Sequence, residues 1–115
     1  MEALYLFINM YWTLLVIAGL LEAGWATALR YSEGFSKFWP SVYTVILMVL
    51  SMGLLSYATR YIHVGTAYVV WTGIGAISTT IVGLLLFNES MEFARLFFIF
   101  MIVTGVIGLH LIEKV

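Results

Sequence analysis

The sequence predicts an all-α integral membrane protein, a bundle of four transmembrane helices forming a single domain over 1–115, and three observations predict it. Of its 115 residues 63% are hydrophobic and only 10% charged, where a soluble domain has about a quarter of its residues charged. Its mean hydropathy is +1.08, which leaves too little polar surface to cover a globule in water, so lipid is the solvent for much of the chain. Its five basic and six acidic residues cut the chain into pieces of about the 20 residues that a helix needs to cross the hydrocarbon core. No ten-residue alternation of polar and apolar positions is present, which argues against a β-barrel.

The first predicted helix covers about 11–30. Before it stands an apolar N-terminal extension, 1–10, with Glu2 where a secretory signal would carry positive charge and no small-residue cleavage site after it, so the extension is expected to stay. The second helix, about 39–58, opens on Pro40, a position in the first turn where the missing N–H has no helical partner to lose. Trp39, like Tyr11 and Trp12 of the first helix, suits the membrane interface. The third helix, about 64–87, holds Gly65, Gly73, Gly75 and Gly83. Glycine lowers helix propensity and allows a bend, which makes Gly73 and Gly75 the expected hinge. The fourth helix, about 95–112, carries Gly105 and Gly108 with Ala94 and Thr104 beside them, small residues of the kind that let helices approach closely in lipid, hence an expected dimer seam. The connections Tyr31 to Phe38, Thr59 to His63 and Asn88 to Ala94 are short and leave no room for a soluble domain.

Orientation is weakly specified. Arg30, Lys37 and Arg95 fall on one side of the membrane and Arg60 and Lys114 on the other, three against two, so both ends in the cytoplasm and insertion both ways are each open readings. A single bundle of four short helices fills its own centre with side chains, so a transport function calls for an oligomer.

Several chemistries are excluded by what the chain lacks. The formal net charge of −1 and the absence of a basic stripe argue against nucleic-acid binding. Without cysteine there are no disulfides, iron–sulfur clusters or thiol chemistry. His63 and His110 stand alone in sequence, so no metal site is expected. WTGIGA lacks the Lys and the helix-opening loop of a phosphate site. No nucleophile–base pair points to an enzyme. Glu33, Glu89, Glu92 and Glu113 lie at loops or helix ends and read as solvated.

Glu22 is different, because it sits near the middle of the first span with no Lys or Arg deep enough to neutralise it. An acid at mid-helix costs roughly 2.5–3.5 kcal/mol on insertion scales, and such residues face a partner, a cavity or a transported ion. A low-dielectric setting disfavours the bare carboxylate, so a proton and a cation become alternative ways of neutralising it. Ala18 and Gly19 lie one turn before it and Trp25 and Ala26 one turn after, which puts small surfaces and one indole on its face. Tyr68 and Trp71 are i,i+3 neighbours on the third helix, with Gly75 a turn further on. Ser51, mid-span in the second helix, is placed either to donate to a carboxylate or to bond its own i−4 carbonyl.

GLLEAGW (Gly19 to Trp25), YSEGFSKFWPS (Tyr31 to Ser41), VGTAYVVWTGIGA (Val64 to Ala76) and the glycine-bearing last helix occur in this order and at these separations. The chain resembles, over nearly all of 9–112, the small multidrug resistance family of bacterial four-helix proton-coupled exporters. Trp25 three residues after the membrane Glu, with GTAYxxWTGIGA, looks like the guanidinium exporter subtype. The resemblance implies an antiparallel homodimer in the bacterial inner membrane, the partner being a second copy or a paralogue, with protons as coupling ion and no cofactor. It implies that Glu22 of each subunit binds protons and a small cation in competition, that Tyr68 acts at the gate, that Trp25, Ser51 and Trp71 hydrogen-bond and orient Glu22, and that Gly19 leaves space. It also leaves open export of quaternary ammonium and hydrophobic aromatic cations, or the role of a non-transporting partner subunit. Two features depart from the family pattern: the longer apolar start, and Gly24 where a bulky aliphatic residue is common.

Overall fold

The computed structural model describes residues 2–112, so Glu113 and Lys114 of the charge count lie outside the described residues. Four helices follow one another: α1 (Glu2–Tyr31), α2 (Phe38–Ala58), α3 (Val64–Leu86) and α4 (Phe93–Ile112). All four are long and apolar enough to cross a membrane. The expected bounds hold to within two residues at every end but one. That exception is the apolar extension, which is not a separate segment: α1 begins at Glu2 and runs for 30 residues. No glycine, proline or polar cluster interrupts 2–10, and an acid in the first turn favours the helix N-terminus, so the helix continues to Glu2. At 1.5 Å per residue α1 is about 45 Å long, whereas α2, of 21 residues, is about 32 Å.

Helix α1 is the axis of the fold, packing against both α2 and α3, while α4 packs mainly against α3 and α2 barely meets α3. The result is a slab of 49 × 35 × 20 Å, about two helix diameters thick. Its interior is a stripe on α1, Tyr11, Trp12, Leu15 and Ala18, at the three- and four-residue spacing of one helix face, meeting Ala67, Val70 and Trp71 of α3 and Ala58 of α2. Helix α4 buries none of its residues, and large apolar side chains such as Phe93, Phe100, Leu85 and Val49 are exposed. In water this would be a fault. In lipid, apolar exposure carries no such penalty, and only the backbone has to be satisfied internally.

The turns show how short connections are closed. After α1 the buried Ser32 hydroxyl donates to the Leu29 carbonyl at 2.6 Å and accepts the Phe35 N–H at 3.1 Å. Glu33, Gly34 and Phe35 then all take positive φ, at 48°, 73° and 64°, and the chain reverses into α2 within a few residues. At the end of α3 both the Phe87 and the Glu89 N–H donate to the Gly83 carbonyl, at 3.0 and 3.2 Å, with Asn88, a residue that tolerates the left-handed region, at φ 51°. At the opposite end of the slab, Tyr11 stacks on Tyr57 with ring centroids 5.4 Å apart and meets Tyr61 at 4.5 Å. These phenols suit the interface position expected for Tyr11. Trp12 lies edge-on to His110 of α4 at 4.4 Å, so His110 is an aromatic packing partner rather than an isolated residue.

Candidate functional site

Glu22 projects from α1, about two thirds of the way along it, into its seam with α3. A Cβ built on Gly75 would fall on the Glu22 carboxyl group itself, so the absence of a side chain at Gly75 is what gives the carboxylate its seat. One carboxylate oxygen, Oε1, is fully buried and has no hydrogen-bond partner, and the same holds for the indole Nε1 of Trp25, one turn along α1. Among the described residues these are the only buried side-chain polar atoms left in that condition. An acceptor and a donor, both withdrawn from the surface and both unpaired, stand on adjacent turns of one helix. Unpaired buried polar groups are destabilising unless they are matched by something else.

The other expected ligating residues occupy different places. Ser51 does not bond its own i−4 carbonyl and does not reach Glu22. Its hydroxyl donates to the Ala18 carbonyl of α1 at 2.7 Å and accepts the Trp71 indole N–H at 2.9 Å. Ser51 and Trp71 thus tie α1, α2 and α3 together one turn below the carboxylate, and their hydrogen bonds go to each other and to backbone. Ser51→Ala should lower the unfolding midpoint in detergent by an amount equivalent to about 0.6–1.7 kcal/mol, the range of interhelical hydrogen bonds in membranes. A titration with sodium dodecyl sulfate followed by circular dichroism reads it, and Ser51→Thr, which keeps a hydroxyl, should recover part of the loss.

Tyr68 is 55% exposed and its ring lies 5.6 Å from that of Trp71. It forms part of a groove of about 350 Å³ between α2 and α3, lined by Met52, Leu55, Ser56 and Trp71 among others. It is therefore outside the immediate surroundings of Glu22 in this protomer. Gly19 does not leave space beside the carboxylate either: Ile74 of α3 fills it, and a Cβ there would come within 2.7 Å of Ile74. Gly24 is likewise covered, by Leu47 of α2 at 3.3 Å. Gly73 admits Val106 of α4, and α3 runs unbroken through Gly73 and Gly75, so in this structure these two residues are points of close approach within a continuous helix. Among the described residues, nothing lies within 4 Å of a Cβ position at Gly105 or Gly108, and they lie on a helix with no buried residue.

Sequence reasoning placed Gly75 among the bending residues and missed that it carries the carboxylate. The signal was present in the four-residue spacing of Glu22, Ala26 and Arg30 on α1 and of Gly75, Thr79 and Gly83 on α3. It became readable only once α1 and α3 were known to be packed side by side. Glu89, read as solvated, is exposed in the α3–α4 connection and also has specific neighbours. Its carboxyl sits where a Cβ on Gly83 would fall, and it pairs with Arg95 at 2.7 Å. Among the described residues no group of three or more His, Cys, Asp or Glu is arranged to hold a metal ion.

Comparison with known proteins agrees with the motifs. Residues 10–102 match the family described as Small Multidrug Resistance protein. Proteins named guanidinium exporter from Salmonella typhimurium and Escherichia coli are each 53% identical to this chain over 102 residues, covering 89% of it and 97% of the relative. One from Proteus vulgaris is 50% identical over the same length and is covered to 98%.

Proposed function

This chain belongs to the small multidrug resistance family and is a multi-pass membrane protein, and from that premise we propose that it exports guanidinium and small guanidinyl cations in exchange for protons across the bacterial inner membrane. The observation that carries the reading is the buried, unpaired Oε1 of Glu22 seated on Gly75. The relatives' name supplies the substrate class.

Guanidinium is planar, charged at any relevant pH, and presents paired N–H groups that fork onto a carboxylate. A carboxylate with an unpaired acceptor atom matches that pattern. Binding a cation and binding a proton are mutually exclusive ways of neutralising Glu22, so each ligand weakens the other, and this reciprocity is what exchange requires. The Trp25 indole N–H, one turn along α1 and unpaired in this structure, is a free donor for a charged Glu22, which accepts more strongly than a protonated one. Ser51 and Trp71 act at one remove, holding α1 against α2 and α3 so that Glu22 keeps its place. Tyr68, on the open face of α3, is set to act as a gate between this protomer and a second one.

The assembly we propose is an antiparallel dimer, two copies inserted in opposite orientations. Three features support it: the nearly balanced Lys and Arg count, the exposure of Tyr68, and the open α4 face carrying Gly105 and Gly108. Bending of α3 at Gly73 and Gly75 would then open the shared site to either side in turn. The reading is tested by guanidinium-evoked current from the purified protein in proteoliposomes, with a tetra-alkylammonium ion beside it. A current with guanidinium and a smaller one with the bulky cation is expected. A response to the bulky cation alone would assign the chain to export of quaternary ammonium ions, and silence to both would overturn self-sufficient transport.

A further inference from the structure

Helices α1 and α3 cross the membrane in the same direction and meet along a ladder of small or polar residues. Glu22 rests on Gly75, and beyond it, on the same two faces, come Ala26 with Thr79 and then Arg30 with Gly83. Above the Glu22 rung the seam opens into a cleft of about 190 Å³ lined by Ala26, Thr27, Arg30, Thr79, Gly83 and Glu89. The cleft reaches the end of α3, where Phe87 and Glu89 line it.

Glu89, at the far end of this cleft, already holds a guanidinium group from outside the lining, that of Arg95. Its Nη2 meets Glu89 Oε1 at 2.7 Å and its Nη1 donates to the Ser90 carbonyl at 2.8 Å. Glu89 is pressed onto the bare Cα of Gly83 as Glu22 is onto that of Gly75. The guanidinium of Arg30 lies 4.8 Å over the ring of Phe87. The cleft and its rim thus offer, a few turns from Glu22, the acceptors that a guanidinium uses: the Glu89 carboxylate and the Phe87 ring in its lining, and the Ser90 carbonyl beside them. The Arg95–Glu89 pair is not sealed in, its side chains being 30% and 39% exposed.

We propose that Glu89 is a second, peripheral guanidinium station at the surface mouth of the α1–α3 seam, occupied at rest by Arg95 and taken over by substrate on its way to or from Glu22. This deepens the proposed function and rests on it. Arg30 and Arg95 together outweigh the single charge of Glu89, so a free cation does not simply add to the cleft. It replaces Arg95 one for one, Arg95 swings into the aqueous interface, and the charge of the cleft is unchanged. Intramolecular attachment makes Arg95 a strong competitor, which keeps the station weak, and weak binding is what a transfer point needs if it is to release its ligand.

A latch and a station predict different signs. If the pair only fastens the α3–α4 connection, Glu89→Gln and Arg95→Gln remove the same bond and shift transport the same way. If Glu89 receives substrate, Glu89→Gln removes the station while Arg95→Gln frees it. The test is the half-saturating guanidinium concentration for exchange in proteoliposomes. We expect it to rise about two- to fivefold in Glu89→Gln and to fall by a similar factor in Arg95→Gln, the range of an exposed charge pair. The double variant should follow Glu89→Gln, and Glu92→Gln, an exposed acid on the same connection, should leave it unchanged. Arg95→Lys, which keeps the charge but loses the fork, should also lower it and stands in if Arg95→Gln does not fold. Shifts in the same direction, no shift, or an equal effect of Glu92→Gln would each overturn the station while leaving Glu22 transport standing. A wild-type protein silent to guanidinium would overturn both readings.

Discussion

Glu22→Gln should abolish exchange, reducing guanidinium-evoked current in proteoliposomes at least a hundredfold while helical content and insertion stay as in the wild type. Gln has the shape of Glu and fits the same seat on Gly75, but it neither carries the negative charge that holds a cation nor exchanges a proton. With both ligands of the cycle lost at one atom, no residual coupled step remains. A charge buried without a partner also destabilises a helix in lipid, so the neutral variant should be at least as stable as the wild type. Lower function with equal or higher stability is the signature of a residue kept for its chemistry. In the wild type the apparent affinity for guanidinium should weaken as the pH falls, because protonation removes the charge that the cation needs, and the variant should show no such slope. A variant that still exchanges guanidinium for protons would show that the shared site lies elsewhere.

Gly75→Ala should be nearly as damaging, with exchange falling at least tenfold, although a methyl group in an apolar helix is ordinarily harmless. The new Cβ would occupy the position of the Glu22 carboxyl, so either the carboxylate turns away from the seam or α1 and α3 move apart. Each tenfold loss corresponds to about 1.4 kcal/mol. Gly53→Ala is the matching control, since among the described residues nothing lies within 4 Å of its Cβ position, and it should retain wild-type rates. Shortening the acid by one methylene withdraws the carboxyl from the added methyl, so Glu22→Asp combined with Gly75→Ala should exchange faster than Gly75→Ala alone. Initial rates of the three variants and the wild type decide the matter, and a wild-type rate in Gly75→Ala would show that the seat has no functional role.

The membrane-spanning architecture was legible in the sequence because it follows from properties that each residue carries by itself. Charges cannot be placed in hydrocarbon without large cost, so their positions mark the span ends, and helix bounds read that way agree with the structure to within two residues except at the start of α1. There the reading was drawn to the length that hydrocarbon requires, whereas the helix obeys local propensity and continues to Glu2. Glu22 was legible for the same reason, as a charge where charges do not belong.

The partners of Glu22 were not legible. Ser51, Trp71, Tyr68 and Gly19 are of the right types and lie on suitable turns, yet Ser51 and Trp71 bond each other and the Ala18 carbonyl, Ile74 fills the space at Gly19, and Tyr68 faces outward. A hydroxyl, an indole N–H or a missing side chain can serve any neighbour within reach, and which neighbour it meets depends on the rotation and offset of one helix against another. By itself, then, this sequence determined four spans, one membrane-buried acid and the family motifs around it. The tertiary structure decided that Gly75 seats that acid, that Glu89 and Arg95 close the end of the same seam, and that three helices are tied together below it, because packing distances of a few ångströms between helices are set jointly by all the side chains in the interface and by none of them alone.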